Sequence, residues 1–367
     1  MSPELVVDLA AIRHNVRVLK ELTGTAMMTV VKADGYGHGL AEAARAAREG
    51  GADWIGVATI AEAVALRESG DTGRALCWLT TPGDDWAAAI SRDVDVTVYS
   101  EAALIEVLAT GLDARVQIKV DTGLHRGGAP RAQWEGLFAR AAAEGVRVTG
   151  LWTHFSSSDE PDDPANDDQE RAFDEALALA RRHGLDPEVT HLANSAAAIL
   201  RPSARRDLVR CGIASYGLDP APGHTPDLGL RPAMTARAHL ALVKAVDAGD
   251  AVSYGRTWTA SRPTTLGLVP AGYGDGLPRV GGNHAEVWVA GRRRPVRGRI
   301  CMDQLVVDLD GDDPGAGAEV VVFGPGDHGE PTAQDWAEAC GTISYEIVTR
   351  IGGRFTRTYV DTDRLGP

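Results

Sequence analysis

Lys32 closes the apolar run Met28-Thr29-Val30-Val31 and opens the segment Ala33-Asp34-Gly35-Tyr36-Gly37-His38-Gly39. A continuous apolar run is what a strand buried on both faces looks like, and ammonium groups are rarely taken out of water without a partner. One use for a lysine in such a place is covalent. Desolvation lowers its pKa, and the neutral amine then condenses with an aldehyde to a Schiff base. Pyridoxal 5'-phosphate (PLP) is the common biological aldehyde used in this way, as an electron sink. The plainer use is snorkelling, with the head kept in water. The glycines that alternate with Tyr36 and His38 favour the covalent use, because they let the backbone pass close to a ligand while two polar rings project from it.

Other candidates follow along the chain. In Lys119-Val120-Asp121-Thr122-Gly123-Leu124-His125-Arg126-Gly127-Gly128 an arginine stands seven residues after a lysine. A guanidinium is a fixed cation with several donors, suited to a carboxylate or a phenolate. His191-Leu192-Ala193-Asn194-Ser195 precedes Arg210-Cys211-Gly212-Ile213-Ala214-Ser215-Tyr216-Gly217. Hydroxyls and backbone N–H groups at a short helix start suit a phosphate. His154 and His191 end apolar runs, where a lone histidine is more often a hydrogen-bonded structural residue than a catalyst. A later group of tyrosines sits in Val252-Ser253-Tyr254-Gly255-Arg256, Gly272-Tyr273-Gly274-Asp275-Gly276, Arg299-Ile300-Cys301-Met302-Asp303 and Ser344-Tyr345-Glu346. Cys77, Cys211, Cys301 and Cys340 are far apart and form no paired metal motif, so no metal is expected and the thiols suit a reducing cytoplasm. No G-x-G-x-x-G pattern opens a helix to suggest a dinucleotide.

These groups need a frame that brings distant segments to one end. Glu4–Val7 reads as a short strand, and Asp8 caps a helix to about Leu22. After the Lys32 strand comes an alanine-rich helix from about Gly39 to Arg48, and strand-like runs recur at Trp54–Val57, Leu76–Thr80, Val94–Val98, Val116–Val120, Val146–Trp152, Glu188–His191 and Leu208–Cys211. Helical segments lie between them. Thr59 with Glu62 makes a capping-box pattern, and Ser100 precedes the run Glu101–Leu108. The eight strand–helix units predict an α/β fold, an N-terminal (β/α)8 TIM-type barrel over residues 1–230. Two doubly wound halves are the alternative. In the barrel, Lys32, Lys119, His154, His191 and Arg210 fall near the carboxyl ends of the first, fifth, sixth, seventh and eighth strands, where barrel active sites form. Residues 231–367 change texture, with strands expected at Ala236–Val246, Thr265–Val269, Glu286–Val289, Gln304–Leu309 and Glu319–Phe323, a helix near Thr332 and another at Tyr345–Arg350. They predict a C-terminal mainly-β domain, to which the N-terminal strand 4–7 contributes.

A net charge of −14 argues against a broad nucleic-acid surface, and 44% hydrophobic with 24% charged residues is globular composition. No apolar run approaches membrane-spanning length, and the N-terminus lacks the apolar core of a signal peptide. Ser158–Glu170 carries seven carboxylates and Arg292–Arg299 five arginines. A solvated loop and a solvated hairpin are expected there.

Val31-Lys32-Ala33-Asp34-Gly35-Tyr36-Gly37-His38-Gly39 resembles the PLP-lysine segment of alanine racemases, and the likeness runs in order from Val6-Val7-Asp8 to Tyr345. The resemblance implies that Lys32 carries PLP and is the acid/base on one face of alanine, with Tyr254 on the other. The resemblance further implies that Tyr254 comes from the second subunit of a head-to-tail homodimer whose active site is shared. It implies that Tyr36, Ser195, Gly212 and Ile213 hold the cofactor phosphate, that Arg210 faces the pyridine nitrogen, and that His154 lies beneath the ring. Lys119 matches a lysine that is carbamylated in many members, and Arg126 the residue that bonds the carbamate and the cofactor phenolate. Tyr273, Met302, Asp303 and Tyr345 match residues that line the substrate entrance, and His125 falls at a variable position. The activity implied is cytoplasmic supply of D-alanine for peptidoglycan. A racemase of serine or broader specificity, in the cytoplasm or the periplasm, is one alternative, and a barrel decarboxylase of the same PLP fold type is another. The decarboxylase would use a cysteine motif that Cys301 faintly echoes. A PLP-carrier barrel would resemble the first domain only.

Overall fold

The computed structural model describes residues 2–363, which divide into two compact units. The outer ends of the two expected domains, residue 1 and residues 364–367, lie outside the described residues. Strand β1 (Glu4–Asp8) belongs, with Tyr36–His38 and the chain from Arg231 onward, to one unit, and Ile12–Gly35 with Gly39–Leu230 to the other.

The second of these is an eight-stranded parallel barrel. Its strands are β2 (Ala26–Val30), β3 (Trp54–Val57), β4 (Arg74–Cys77), β5 (Asp95–Val98), β6 (Val116–Lys119), β7 (Val148–Trp152), β8 (Val189–His191) and β9 (Leu208–Cys211). Neighbours in the chain are neighbours in the sheet, and β9 returns to pair with β2. Every residue of β3, β5, β6 and β9 is buried, because one face fills the barrel and the other lies under helices. Among the described residues no ladder joins β8 to β9. That seam is closed instead by single bonds, Arg210 N–H to Ala193 O at 2.9 Å and Asp207 N–H to Thr190 O at 3.2 Å. The helices begin where their caps stand. Thr59 and Glu62 form the reciprocal box before Ile60–Glu68, and Ser100 Oγ accepts from Ala103 N–H before Glu101–Ala109.

The other unit is built on a six-stranded sheet. Its further strands are β10 (Met234–His239), β11 (Leu242–Val246), β12 (Ala251–Val252), β13 (Trp258–Thr259), β14 (Thr264–Val269), β15 (Glu286–Val289), β16 (Arg292–Pro295), β17 (Leu305–Asp308), β18 (Glu319–Phe323) and β19 (Thr356–Val360). The large sheet runs β16-β15-β18-β10-β1-β19, with β1 antiparallel to β10 and parallel to β19. A three-stranded sheet, β11-β14-β17, and the pair β12-β13 complete it. The strand-rich segment expected over Ala236–Val246 is two strands in two sheets. Leu240 N–H turns to Ala318 O and Ala241 N–H to Leu268 O, so the chain changes partners within one dipeptide.

The arginine run takes the expected hairpin and residues 158–164 the expected loop, each with buried exceptions. The arginine run does make a hairpin, β15 with β16, but Arg294 is only 1% exposed, with Nη1 on Leu309 O at 2.5 Å and Nη2 on Asp312. Its burial is offset by those two partners. The acidic run enters the helix Ala165–Arg182, where Asn166 and Gln169 are buried and Arg201 pairs with Asp167 and Glu170. Carboxylates in a first helical turn also meet the positive end of the helix dipole.

Candidate active site

Lys32 leaves β2 into a turn whose backbone is left-handed at Ala33, Asp34, Gly35 and Tyr36, with φ of 52, 52, 63 and 53°. Such conformations cost an ordinary residue about 1–2 kcal/mol each. Local bonds hold the turn. Ala33 N–H donates to Glu62 Oε1 at 2.8 Å, Gly35 N–H to Val31 O at 2.8 Å, and Leu40 N–H to Asp34 Oδ1 at 2.8 Å. The same Glu62 that caps its own helix therefore also braces the lysine turn. Burial, and then the charge of Arg126, lower the pKa of Lys32, with a smaller contribution from Arg210. The amine is thus more readily neutral than a surface lysine.

Lys119, the last residue of β6, points its Nζ at the Trp152 ring, 4.7 Å from the centroid. Burial, Arg210 and Arg126 push its pKa down to about 8. Arg126 lies exposed in the loop after β6, and makes no hydrogen bond among the described residues. His125 turns outward towards Asp121, 85% exposed.

Arg210 is the hub of the barrel mouth. Only 4% exposed, it donates from Nη2 to Thr153 O at 2.8 Å and Leu192 O at 2.9 Å, with His154 Nδ1 at 3.2 Å, and from Nη1 to His191 Nδ1 at 2.9 Å. Burial brings its pKa down to about 9, which leaves it charged at neutral pH. Burial and that charge hold both His154 and His191 well below the ordinary imidazole value, so both rings are neutral. Nε has no hydrogen bond among the described residues, which leaves that donor for a ligand atom. Ser195 Oγ accepts from Gly212 N–H at 2.9 Å and Ala214 N–H at 3.4 Å, at the start of the helix Ser195–Leu200, and Ile213 follows in the same turn. A neutral-leaning amine, a spare guanidinium donor and a hydroxyl gathered with peptide N–H groups are the donor set a phosphorylated pyridine aldehyde needs. PLP fits the residues present.

In the β unit the remaining candidates form two groups. Tyr254 stands 71% exposed on a turn whose Ser253 Oγ donates to Arg299 O at 2.6 Å. Tyr273 N–H bonds Cys301 O at 3.0 Å and Gly274 N–H bonds Met302 O at 2.8 Å, which seats Tyr273 beside Met302. Gly272 is required there, since a Cβ would lie 2.2 Å from Cys301 O. Arg354 clasps buried Asp275 and reaches Asp303 O at 3.1 Å. Tyr345 meets Tyr36 with ring centres 6.3 Å apart. A cavity of about 380 Å³ in this unit is walled by Trp258 and by arginines whose charges already meet carboxylates. Arg262 meets Asp310, Arg292 and Arg294 meet Asp312, Arg293 meets Asp335, and Arg297 meets Asp308. It has no cation left over to draw in a substrate carboxylate.

Sequence reasoning missed Gln117, Asp95, Thr149, Trp152 and Glu62, which touch or brace the candidate residues. A signal for Gln117 existed. It stands two residues before Lys119, and alternation puts both on one face of β6.

Residues 7–220 match the family model "Alanine racemase, N-terminal domain" and residues 233–359 match "Alanine racemase, C-terminal domain". The alanine racemase of Streptomyces coelicolor is 55% identical over 97% of this chain and 95% of its own length. The crystal structure of alanine racemase from D-cycloserine-producing Streptomyces lavendulae superposes with a TM-score of 0.96 at 51% identity, covering 98% of this chain and 97% of that one. The Bacillus anthracis alanine racemase, solved with bound L-Ala-P, gives a TM-score of 0.91 at 33% identity, with 99% and 96% covered.

Proposed function

Since the chain belongs to the alanine racemase family, we propose that it interconverts L-alanine and D-alanine by a two-base reaction with PLP held at Lys32. When bound, PLP supplies the electron sink that makes the α-proton of the amino acid acidic. Lys32 takes or returns that proton on one face, and its lowered pKa supports a neutral amine for the task. Tyr254 serves the opposite face, because inversion needs a proton removed on one side and delivered on the other. Tyr36, Ser195, Gly212 and Ile213 bind the phosphate, and Arg126 binds the substrate carboxylate and the phenolate. Tyr273, Met302, Asp303 and Tyr345 shape the entrance. Arg210, with Nε free, would face the ring nitrogen and, being a hydrogen-bond donor only, would accept no bond from a protonated ring. His154 and His191 hold it in place.

The observation that carries this reading is the buried, four-bonded Arg210 beside two lysines of lowered pKa. Purified protein supplied with PLP should form D-alanine from L-alanine. Arg210→Glu should slow that reaction by about a hundredfold or more and open transamination to pyruvate, since a carboxylate would let the ring nitrogen carry a proton. Wild-type protein that leaves L-alanine unchanged would sink the reading.

Lys119 is proposed to carry a carbamate. Its neutral amine adds to the carbon of CO2 and a proton leaves to solvent, turning one of four clustered cations (Lys32, Lys119, Arg126 and Arg210) into an anion. With a pKa of about 8, roughly a tenth of the amine is neutral at pH 7, against well under a thousandth for an ordinary lysine. Carbon-13-labelled CO2 should give a carbamate resonance that grows as pH rises through about 8 and is missing from Lys119→Ala. An identical spectrum for the variant would leave Lys119 a plain cation.

The proposed setting is a cytoplasmic homodimer that supplies D-alanine for peptidoglycan, with a domain boundary at 230/231. Among the described residues no helix is long and apolar enough to cross a membrane.

A further inference from the structure

Arg210 is one end of a polar chain that runs down the inside of the barrel. His191 Nδ1 lies 2.9 Å from Arg210 Nη1, His191 Nε2 lies 2.8 Å from Gln117 Oε1, and Gln117 Nε2 lies 3.4 Å from Asp95 Oδ2. Asp95 also accepts from Thr149 Oγ1 at 2.7 Å, Arg74 Nη2 at 2.8 Å and Arg115 Nε at 2.6 Å. Asp95, Gln117, Thr149 and His191 are all sealed from solvent.

The direction of each bond is set from the two ends. A guanidinium only donates, so His191 Nδ1 must accept and carry no proton. A carboxylate held between two arginines only accepts, so the Gln117 amide must turn its NH2 to Asp95 and its carbonyl to His191. Both constraints meet at His191 Nε2, which must hold the ring proton and donate it. No other placement satisfies both ends, and a buried ring with a mismatched donor would forfeit about 1–3 kcal/mol. His191 is also stacked on Trp152, centroids 5.4 Å apart at 9°. Space for the Gln117 amide comes from Gly150 on β7, where a Cβ would lie 2.6 Å from Gln117 Cδ and 2.7 Å from Oε1. The β6–β7 register shifts beside the same glutamine.

We propose that Gln117, oriented by Asp95, is a positioning residue that fixes the His191 proton on Nε2 and through it the guanidinium of Arg210. Its kinetic consequence rests on the reading of Arg210 as the group that meets the PLP ring, whereas the proton placement does not. A neutral imidazole between a cation and an amide is a stiff spacer. It transmits the orientation of Asp95, anchored by Arg74 and Arg115 near the amino ends of the strands, to a donor at their carboxyl ends.

Nitrogen-15-labelled histidine in the PLP-loaded protein reads the proton directly, with His191→Gln to assign the signal. Wild type should show a neutral His191 protonated on Nε2 and bare on Nδ1. Gln117→Met keeps the length and removes the acceptor. Gly150→Ala keeps Gln117 but displaces its amide, a movement that the flexible end of a glutamine takes without unfolding β7. In both variants the Nε2 proton should shift and exchange faster with water, and kcat should fall about tenfold or more while KM stays nearly constant. His191 protonated on Nδ1, or doubly protonated, in the wild type overturns the proposal. An unchanged His191 signal or an unchanged kcat in the folded variants does so too. If Gln117→Met does not fold, Gly150→Ala decides. A wild type with the expected His191 signal and no racemisation would count against the proposed function and for the proton placement.

Discussion

Borohydride reduction of the PLP-loaded protein should fix the cofactor on one peptide, the one that contains Lys32, and Lys32→Ala should lower racemisation by on the order of 10⁴-fold or more. The chain makes this a sharp experiment, because it has only four lysines, Lys20, Lys32, Lys119 and Lys244. Lys20 is tied to Asp53 at 2.8 Å at the surface, and Lys244 lies on β11, outside the barrel unit. The true competitor is Lys119, whose pKa is also lowered. One feature favours Lys32: it stands on the left-handed turn braced by Glu62 and Asp34. Lys32→Ala removes a charge from a cluster of like charges, so the melting temperature should hold or rise. Label on Lys119 would exchange the proposed roles of the two lysines.

Mixing inactive Lys32→Ala chains with inactive Tyr254→Phe chains should restore activity. Tyr254 is 71% exposed on its own chain and Met302 55%, which suits the proposal that they serve the site of a second subunit. Under two-fold symmetry each dimer has two equivalent sites, each using both chains. In a mixed dimer one site holds both native groups and the other neither. At random exchange about half the dimers are mixed, so activity should approach roughly a quarter of wild type. Subunit exchange demonstrated by mass, without recovery, would put Lys32 and Tyr254 in the same chain's site.

The barrel was legible because its strands are short apolar runs between capped helices, and because Lys119, His191 and Arg210 stand at or next to the ends of those runs. Polar residues at strand ends advertise themselves. Gln117 and Asp95 did not, since alternation tells which face a residue occupies but not which side chain of a neighbouring strand it meets. Their pairing depends on stagger between strands and on the bare position at Gly150. The β unit was harder for a related reason. The change of sheet at Leu240–Ala241 breaks no apolar pattern, so the sequence marks a strand-rich segment but not where its two strands part. β19, Thr-Arg-Thr-Tyr-Val at the sheet edge, is largely exposed and was not anticipated. Arg294 reads as solvated in the sequence because the other four arginines set the character of the run, while its own two acceptors, Leu309 O and Asp312, lie in other segments.

The pairing of β2 with β9, which lays Met28 beside Arg210, also sets an order of events during translation. The ribosome delivers Lys32 early and β9 only after seven barrel strands have emerged. Until then β2 has β3 on one side but lacks its β9 partner, and Lys32 lacks the Arg210 charge that helps lower its pKa. The lysine turn is therefore made early in the chain, and its set of neighbours is completed only by the last barrel strand.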